Sequence, residues 1–234
     1  SGEIMMWDAA KGCRAAVMTA TTANVFEVAW HPQLPRFIVA TSPSGLLVEQ
    51  HVRTQIHVFQ RDRERGDDDL AYTEFQKLDC PAIDINELTY MPNSLLHAYV
   101  TAACTDGNVY VWDTAQGDRP IHTLKHAEPL EDFFTHDRER EDTGVKFTAW
   151  GASADRFYTG SSDGVVKVWN VRNRRKPFVR NLLEAPAPIS CGEFSPGKTQ
   201  LAIGDASGRV FLFSVDERDE HETHFMTLPG TNRR

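Results

Sequence analysis

Four segments of this chain align without gaps, and they constrain the fold more than any other feature. They are residues 25–32 (VFEVAWHP), 85–92 (INELTYMP), 145–152 (VKFTAWGA) and 189–196 (ISCGEFSP). Each carries an aromatic side chain at its sixth place, Trp30, Tyr90, Trp150 and Phe194, and each reads as a strand ending in a turn. A unit that recurs in this way cannot bury its apolar face alone and must stack on its neighbours.

A second signature follows each segment: a glycine turn, then alternating apolar residues closing on an aromatic five positions later. Gly107 leads to Trp112 through NVYVW, Gly164 to Trp169 through VVKVW, and Gly208 to Phe213 through RVFLF. Alternation at period two puts every second side chain on one face, as a half-buried strand requires. The dipeptides Asp106-Gly107 and Asp163-Gly164 supply the positive-φ residues that a tight hairpin demands.

These residues carry a resemblance. Residues 107–113 (GNVYVWD) and 164–170 (GVVKVWN) resemble the WD repeat, whose four-stranded blades pack radially in an all-β WD-repeat β-propeller. All five tryptophans, Trp7, Trp30, Trp112, Trp150 and Trp169, fall at the two repeat positions and are expected in the core. The resemblance also implies a structural network joining a His near the blade start, a Ser or Thr, an Asp and the Trp. It offers Thr159 or Ser161, Asp163 and Trp169 in one unit, and Thr101, Asp106 and Trp112 in the unit before it. The family's Gly-His dipeptide is absent, and Ser207 and Phe213 replace Asp and Trp in the last unit.

The repeat divides the chain into a partial blade over residues 1–24, blades over 25–84, 85–144, 145–188 and 189–230, and a tail over 231–234. Gly2 leads to Trp7 by the same five-residue step, so the first blade is expected to hold only its last two strands. The last blade reads as complete, with strands at 189–193, 200–203, 209–213 and 223–228. Four complete blades plus two strands form an open arc, so roughly two or three further blades are expected, upstream or on a partner chain, in a ring of about seven.

The formal charge of −8 makes the chain as a whole repel phosphate backbones and anionic lipid, so a nucleic-acid role needs a local basic patch. The four cysteines are dispersed without Cys-x-x-Cys and no Asn-x-Ser/Thr sequon occurs, which points to an intracellular setting, nucleus or cytoplasm. No apolar run approaches the length of a membrane helix.

Excess segments on a regular scaffold are where binding is expected. The span from Gly45 to Phe59 is longer than its siblings and includes Glu49, His51 and Arg53. Between blades, residues 125–144 hold seven acidic residues and two arginines, with Glu128, Leu130, Glu131, Asp132, Phe133, Phe134 and His136 among them. Acidic residues flanking aromatics suit a basic peptide, with charge steering the encounter and the rings as anchors. The alternative is a solvated loop whose rings tuck against their own blade. On the opposite face, residues 171–180 (VRNRRKPFVR) carry five cations and no acid. Arg172, Arg174, Arg175 and Lys176 are the candidates for a nucleic-acid or chromatin-associated role. Residues 216–222 (DERDEHE) carry five acids against one Arg and offer this hairpin a partner within the chain.

Residues 160–164 (GSSDG) match the Gly-x-Ser-x-Gly nucleophile elbow in letters, but the motif needs a following helix and a strand follows here. No phosphate-binding loop or dinucleotide fingerprint is present. The nine histidines lack metal-ligand spacing; His122 and His126 fall four apart in an expected strand, too far apart to share an ion. Cys104 and Cys191 read as small core residues. These features together lead to the expectation of a scaffold or adaptor in a multi-subunit complex, with no catalytic residues, cofactor or metal. Nucleic-acid binding is the alternative, and an enzyme ranks third.

Overall fold

The computed structural model describes residues 3–19, 24–42, 54–62, 71–92, 99–130, 133, 143–215 and 226–227. The strands among them are β1 (Glu3–Asp8), β2 (Cys13–Thr19), β3 (Asn24–Trp30), β4 (Arg36–Ser42), β5 (Gln55–Arg61), β6 (Tyr72–Asp79), β7 (Ile85–Tyr90), β8 (Tyr99–Cys104), β9 (Asn108–Asp113) and β10 (His122–Lys125). They continue with β11 (Val145–Trp150), β12 (Phe157–Ser161), β13 (Val165–Trp169), β14 (Phe178–Glu184), β15 (Ile189–Phe194), β16 (Gln200–Asp205), β17 (Val210–Ser214) and β18 (Met226–Thr227). β1 and β2 form a two-stranded sheet, and the remaining strands form four four-stranded sheets, each in chain order: β3–β6, β7–β10, β11–β14 and β15–β18. The result is the all-β, bladed architecture that the repeat implies.

Two compact units make up the chain, Ser1–Thr101 with Val111–Ile121 and Ala102–Tyr110 with His122–Arg234. In the first, Ile4 of β1 packs with Phe37, Val39 and Phe59 of the next sheet, and Met6, Val25 and Tyr72 border them. In the second, Phe147, Tyr158, Val166, Val168 and Leu183 of one blade face Ile189, Phe194, Leu201, Ile203 and Phe213 of the following one. Each fully buried side chain of this size contributes roughly 1.5 to 3 kcal/mol. Stacking of sheet on sheet, rather than any single blade, therefore provides the stability.

The turns are as the dipeptides require. Gly107, Gly164 and Gly208 have φ of 77, 80 and 82°, a region that L-residues with a Cβ rarely occupy. The strands contain a second repeat that the letters hide. In β3, β11 and β15 the register slips by one, leaving Phe26, Lys146 and Ser190 unopposed. The last strand of a sheet slips likewise in β2, β6 and β14, at Ala15, Phe75 and Val179. Each bulge adds one residue to its strand and increases the local twist.

Three expectations need correction. Trp112, Trp150 and Trp169 are buried, but Trp7 and Trp30 are 62% and 56% exposed. Trp7 alternates with Ile4 and Met6 along β1 and so lies on the opposite face from the cluster those two join. Cys191 is exposed, whereas Cys104 is buried, because Cys191 sits on the face of β15 opposite Gly192 and Phe194. His126 lies one residue beyond β10 rather than within it.

Candidate functional site

The best-built polar site lies where the chain enters the blade β11–β14. Trp169 Nε1–H donates to Thr159 Oγ1 at 2.8 Å, so the Thr159 hydroxyl proton is directed to His126 Nε2, 2.7 Å away. His126 Nδ1 then donates to the Asp163 carboxylate at 3.1 and 3.2 Å. The donor chain fixes the neutral Nδ1–H tautomer of His126. Asp163 also accepts the backbone N–H of Ala127 and of Val165, each at 2.9 Å. Both side chains are shut off from water. Burial lowers the His126 pKa, and Lys167 adds to the effect, against the opposing pull of Asp163. For Asp163 burial acts to raise the pKa, but the bonds from His126, Val165 and Ala127 outweigh it and hold the carboxyl below its ordinary value.

Of the sequence-derived network residues, Thr159, Asp163 and Trp169 thus meet. Ser161 does not join them; its Oγ donates to the Gly144 carbonyl at 2.9 Å. Sequence reasoning missed His126, because it looked for a Gly-His dipeptide. The signal was an alignment of strand ends: Leu78-Asp79-Cys80, Leu124-Lys125-His126 and Leu183-Glu184-Ala185 each place a buried leucine two residues earlier. In all three the last residue donates its N–H to the turn after the second strand, at Thr54, Gly107 and Gly164 respectively. Cys80 holds the position in the preceding blade, where Asp106 instead accepts from Tyr110 Oη (2.8 Å) and the Asn108 N–H (3.0 Å) within its own turn. There Thr101 shares a hydroxyl–hydroxyl bond with Thr89, and Trp112 is fully buried.

The network and the bonds beside it fix the first residues after His126. Leu130 donates its N–H to the Ser162 carbonyl at 3.0 Å, and its side chain closes over Gly164. Leu130 is half-buried against its own blade, Glu128 is exposed, and Phe133, whose N–H reaches the Leu130 carbonyl, is 43% exposed. Glu131, Asp132, Phe134 and His136, and likewise Glu49, His51 and Arg53, lie outside the described residues.

At the other end of the same blade, Arg172, Arg174, Arg175 and Lys176 are exposed on the β13–β14 hairpin. His122 Nε2–H donates to the Val171 carbonyl at 2.6 Å at the base of this hairpin. In the first unit a separate trio, Thr41, His57 and Glu74, is linked at 3.1 and 2.6 Å. Thr41 and His57 are buried, so the arrangement lacks the accessible nucleophile that acyl transfer needs. Among the described residues no group of three His, Cys, Asp or Glu is placed to hold a metal ion, and no helix is long and apolar enough to cross a membrane.

The family model for the WD domain, G-beta repeat, matches residues 128–170, the stretch that runs from the anchored loop to the end of β13. Rik1-associated factor 1 of Schizosaccharomyces pombe is 34% identical over 147 residues, which are 62% of this chain and 22% of that protein. Target of rapamycin complex subunit LST8 of Mus musculus is 29% identical over 76 residues, 32% of this chain and 22% of that protein. The chain therefore spans about a fifth of the length of these relatives. Among solved structures, that of the Dos1 propeller superposes with a TM-score of 0.69 at 23% identity, over 89% of this chain and 45% of that one. Repeat, blades and matches agree: the chain carries WD repeats folded as blades of a β-propeller.

Proposed function

We propose that the chain is a non-catalytic scaffold in an intracellular multi-protein complex, gripping a basic segment of a partner with the loop after His126. The observation that carries this reading is the pairing of an anchored base with an exposed ring. His126, Ala127 and Leu130 are bonded to the blade, while Phe133 stands 43% exposed beside acidic sequence. A segment whose base is already held loses less freedom on binding, and an aromatic anchor with acidic neighbours in the sequence suits a cationic peptide. Relatives named as a Rik1-associated factor and as a complex subunit support protein partners as a class. Binding of a short Lys/Arg-rich peptide, followed by fluorescence anisotropy, tests the site. Phe133→Ala and Glu128→Lys should each weaken it by about tenfold; equal affinity for all three proteins removes the loop from the interface.

The same reading extends to the sheet faces. The face of β15–β17 turned away from β11–β14 presents Cys191, Glu193, Ala202, Val210 and Leu212, all exposed, at the register positions that in β11–β13 hold buried Phe147, Tyr158, Val166 and Val168. In the other unit Met5 and Trp7 are exposed on β1. These are surfaces for further blades of a larger ring, a reading supported by the 45% share of the Dos1 propeller chain that this chain covers.

A further inference from the structure

We propose that the outer wall of the blade β11–β14 docks an acidic protein segment that carries apolar residues, on a patch formed by the β13–β14 hairpin and the first residues of β14. This goes beyond the loop-face reading and does not depend on it.

The charge is local and one-sided. Arg172, Arg174, Arg175, Lys176 and Arg180 are all exposed within ten residues of a chain whose net charge is −8. Arg172 meets Asp155 at 3.6 Å with both side chains about half exposed, a pairing too weakly held to neutralise the patch.

The cations sit on a fixed frame. Asn170 Oδ1 accepts the backbone N–H of Arg172 (3.0 Å) and of Asn173 (3.3 Å). Asn173 Oδ1 repeats the pattern with Arg175 (3.3 Å) and Lys176 (3.1 Å). Below them, the Val171 N–H donates to the Ala154 carbonyl at 3.1 Å, and the Val171 carbonyl accepts from His122. A hairpin held this way adds little ordering cost when it binds.

Apolar surface adjoins the charge. Phe178 and Val179 are 41% and 42% exposed. Val179 is the unopposed residue of the β14 bulge, since Val168 pairs with Arg180 and Trp169 with Phe178. A second slip leaves Leu182 of the same strand unopposed, since Val166 pairs with Leu183 and Lys167 with Asn181. Two bulges in one edge strand spoil it as a template for a further strand, so recognition here falls to side chains. Carboxylates would meet the guanidinium groups, with which they form two-pronged bonds, and one or two apolar residues would cover Phe178 and Val179. Nucleic acid fits less well. The ring available for base stacking, Phe178, is already engaged in a T-shaped contact with Trp169 at 5.5 Å, and single-strand binding relies on open aromatic platforms.

The test uses the whole chain and a short fluorescent peptide that alternates Glu or Asp with Leu and Phe. Binding is read by anisotropy at about 50 mM and about 300 mM salt. The peptide should bind, more weakly at high salt. The double substitution Arg175→Glu with Lys176→Glu, on exposed side chains that the fold does not use, should lower affinity at least about tenfold, and Val179→Ser by a few-fold. The same peptide with Lys in place of the acids should not bind. Absence of binding at low salt, or unchanged affinity in the charge-reversed protein, overturns the proposal. So does a single-stranded oligonucleotide of equal charge binding more tightly than the peptide. Binding that appears only after the acids of residues 216–222 are neutralised also overturns it, because the patch would then belong to the chain's own acidic segment.

Discussion

The indole of Trp169 donates to the hydroxyl of Thr159 at 2.8 Å, and that bond sets the direction of every proton in the chain that ends on Asp163. Because the network is buried and fully satisfied, removing one member strands the others without water. His126→Ala and Asp163→Ala should each destabilise the protein by about 2 to 4 kcal/mol in urea unfolding. The double variant should cost clearly less than the sum, because the two losses share one interaction. Strict additivity would mean that the two residues act separately.

Phe147 fills a slot with no room to spare. A Cβ on Gly160 of its own blade or on Gly192 of the next would overlap its ring. Gly192→Ala should therefore lower stability by roughly 1 to 3 kcal/mol, as overpacking does. Combining it with Phe147→Leu should restore part of the loss. A Gly192→Ala protein with unchanged urea midpoint would show that the two sheets can separate at no cost.

Acid should weaken the fold through its buried histidines. Burial lowers the pKa of His31, His122 and His126 below 6.5, helped by Arg36 for His31 and Arg174 for His122. The folded state thus holds fewer protons on these groups than the unfolded chain. Their contribution is complete above about pH 6.5 and is lost as pH falls toward the depressed folded values. His31 illustrates the cause, since its Nδ1 accepts the N–H groups of Gln33 and Leu34 at 3.1 and 3.0 Å and cannot do so once protonated. Asp163 adds a loss of the same sign below its ordinary value of 3.8. Melting temperature should be flat from pH 8 to 7 and decline toward pH 5; a constant value across the whole range would contradict the assignment.

The exposed apolar sheet face makes a separate prediction. Val210→Glu with Leu212→Glu should leave the melting temperature of this chain within about 0.5 kcal/mol equivalent, as surface changes do, while reducing its binding of a hydrophobic dye and its self-association in light scattering. Unchanged dye binding would place the sticky surface elsewhere.

How much was legible in the letters differs between fold and site. The strand positions, the turns at Gly107, Gly164 and Gly208 and the grouping into fours follow from local chemistry: alternation, β-branched runs and residues that tolerate positive φ. Thr159, Asp163 and Trp169 were legible as a set because the WD repeat spaces them within one hairpin. His126 was not, since it reaches them from the end of another sheet.

The amino-acid sequence by itself determined the repeating unit, because each strand and turn depends on neighbours a few residues away. Only the tertiary structure decided which repeat residues are covered. Trp150 and Trp7 are both repeat tryptophans, yet one is 3% and the other 62% exposed. Burial is set by the sheet that packs against a face, and the strand carrying the residue does not encode whether that sheet is there. The bulges at Phe75 and Val179 escaped the sequence for a related reason. A one-residue slip is defined by the pairing of two strands, and neither strand's letters alone record where it falls.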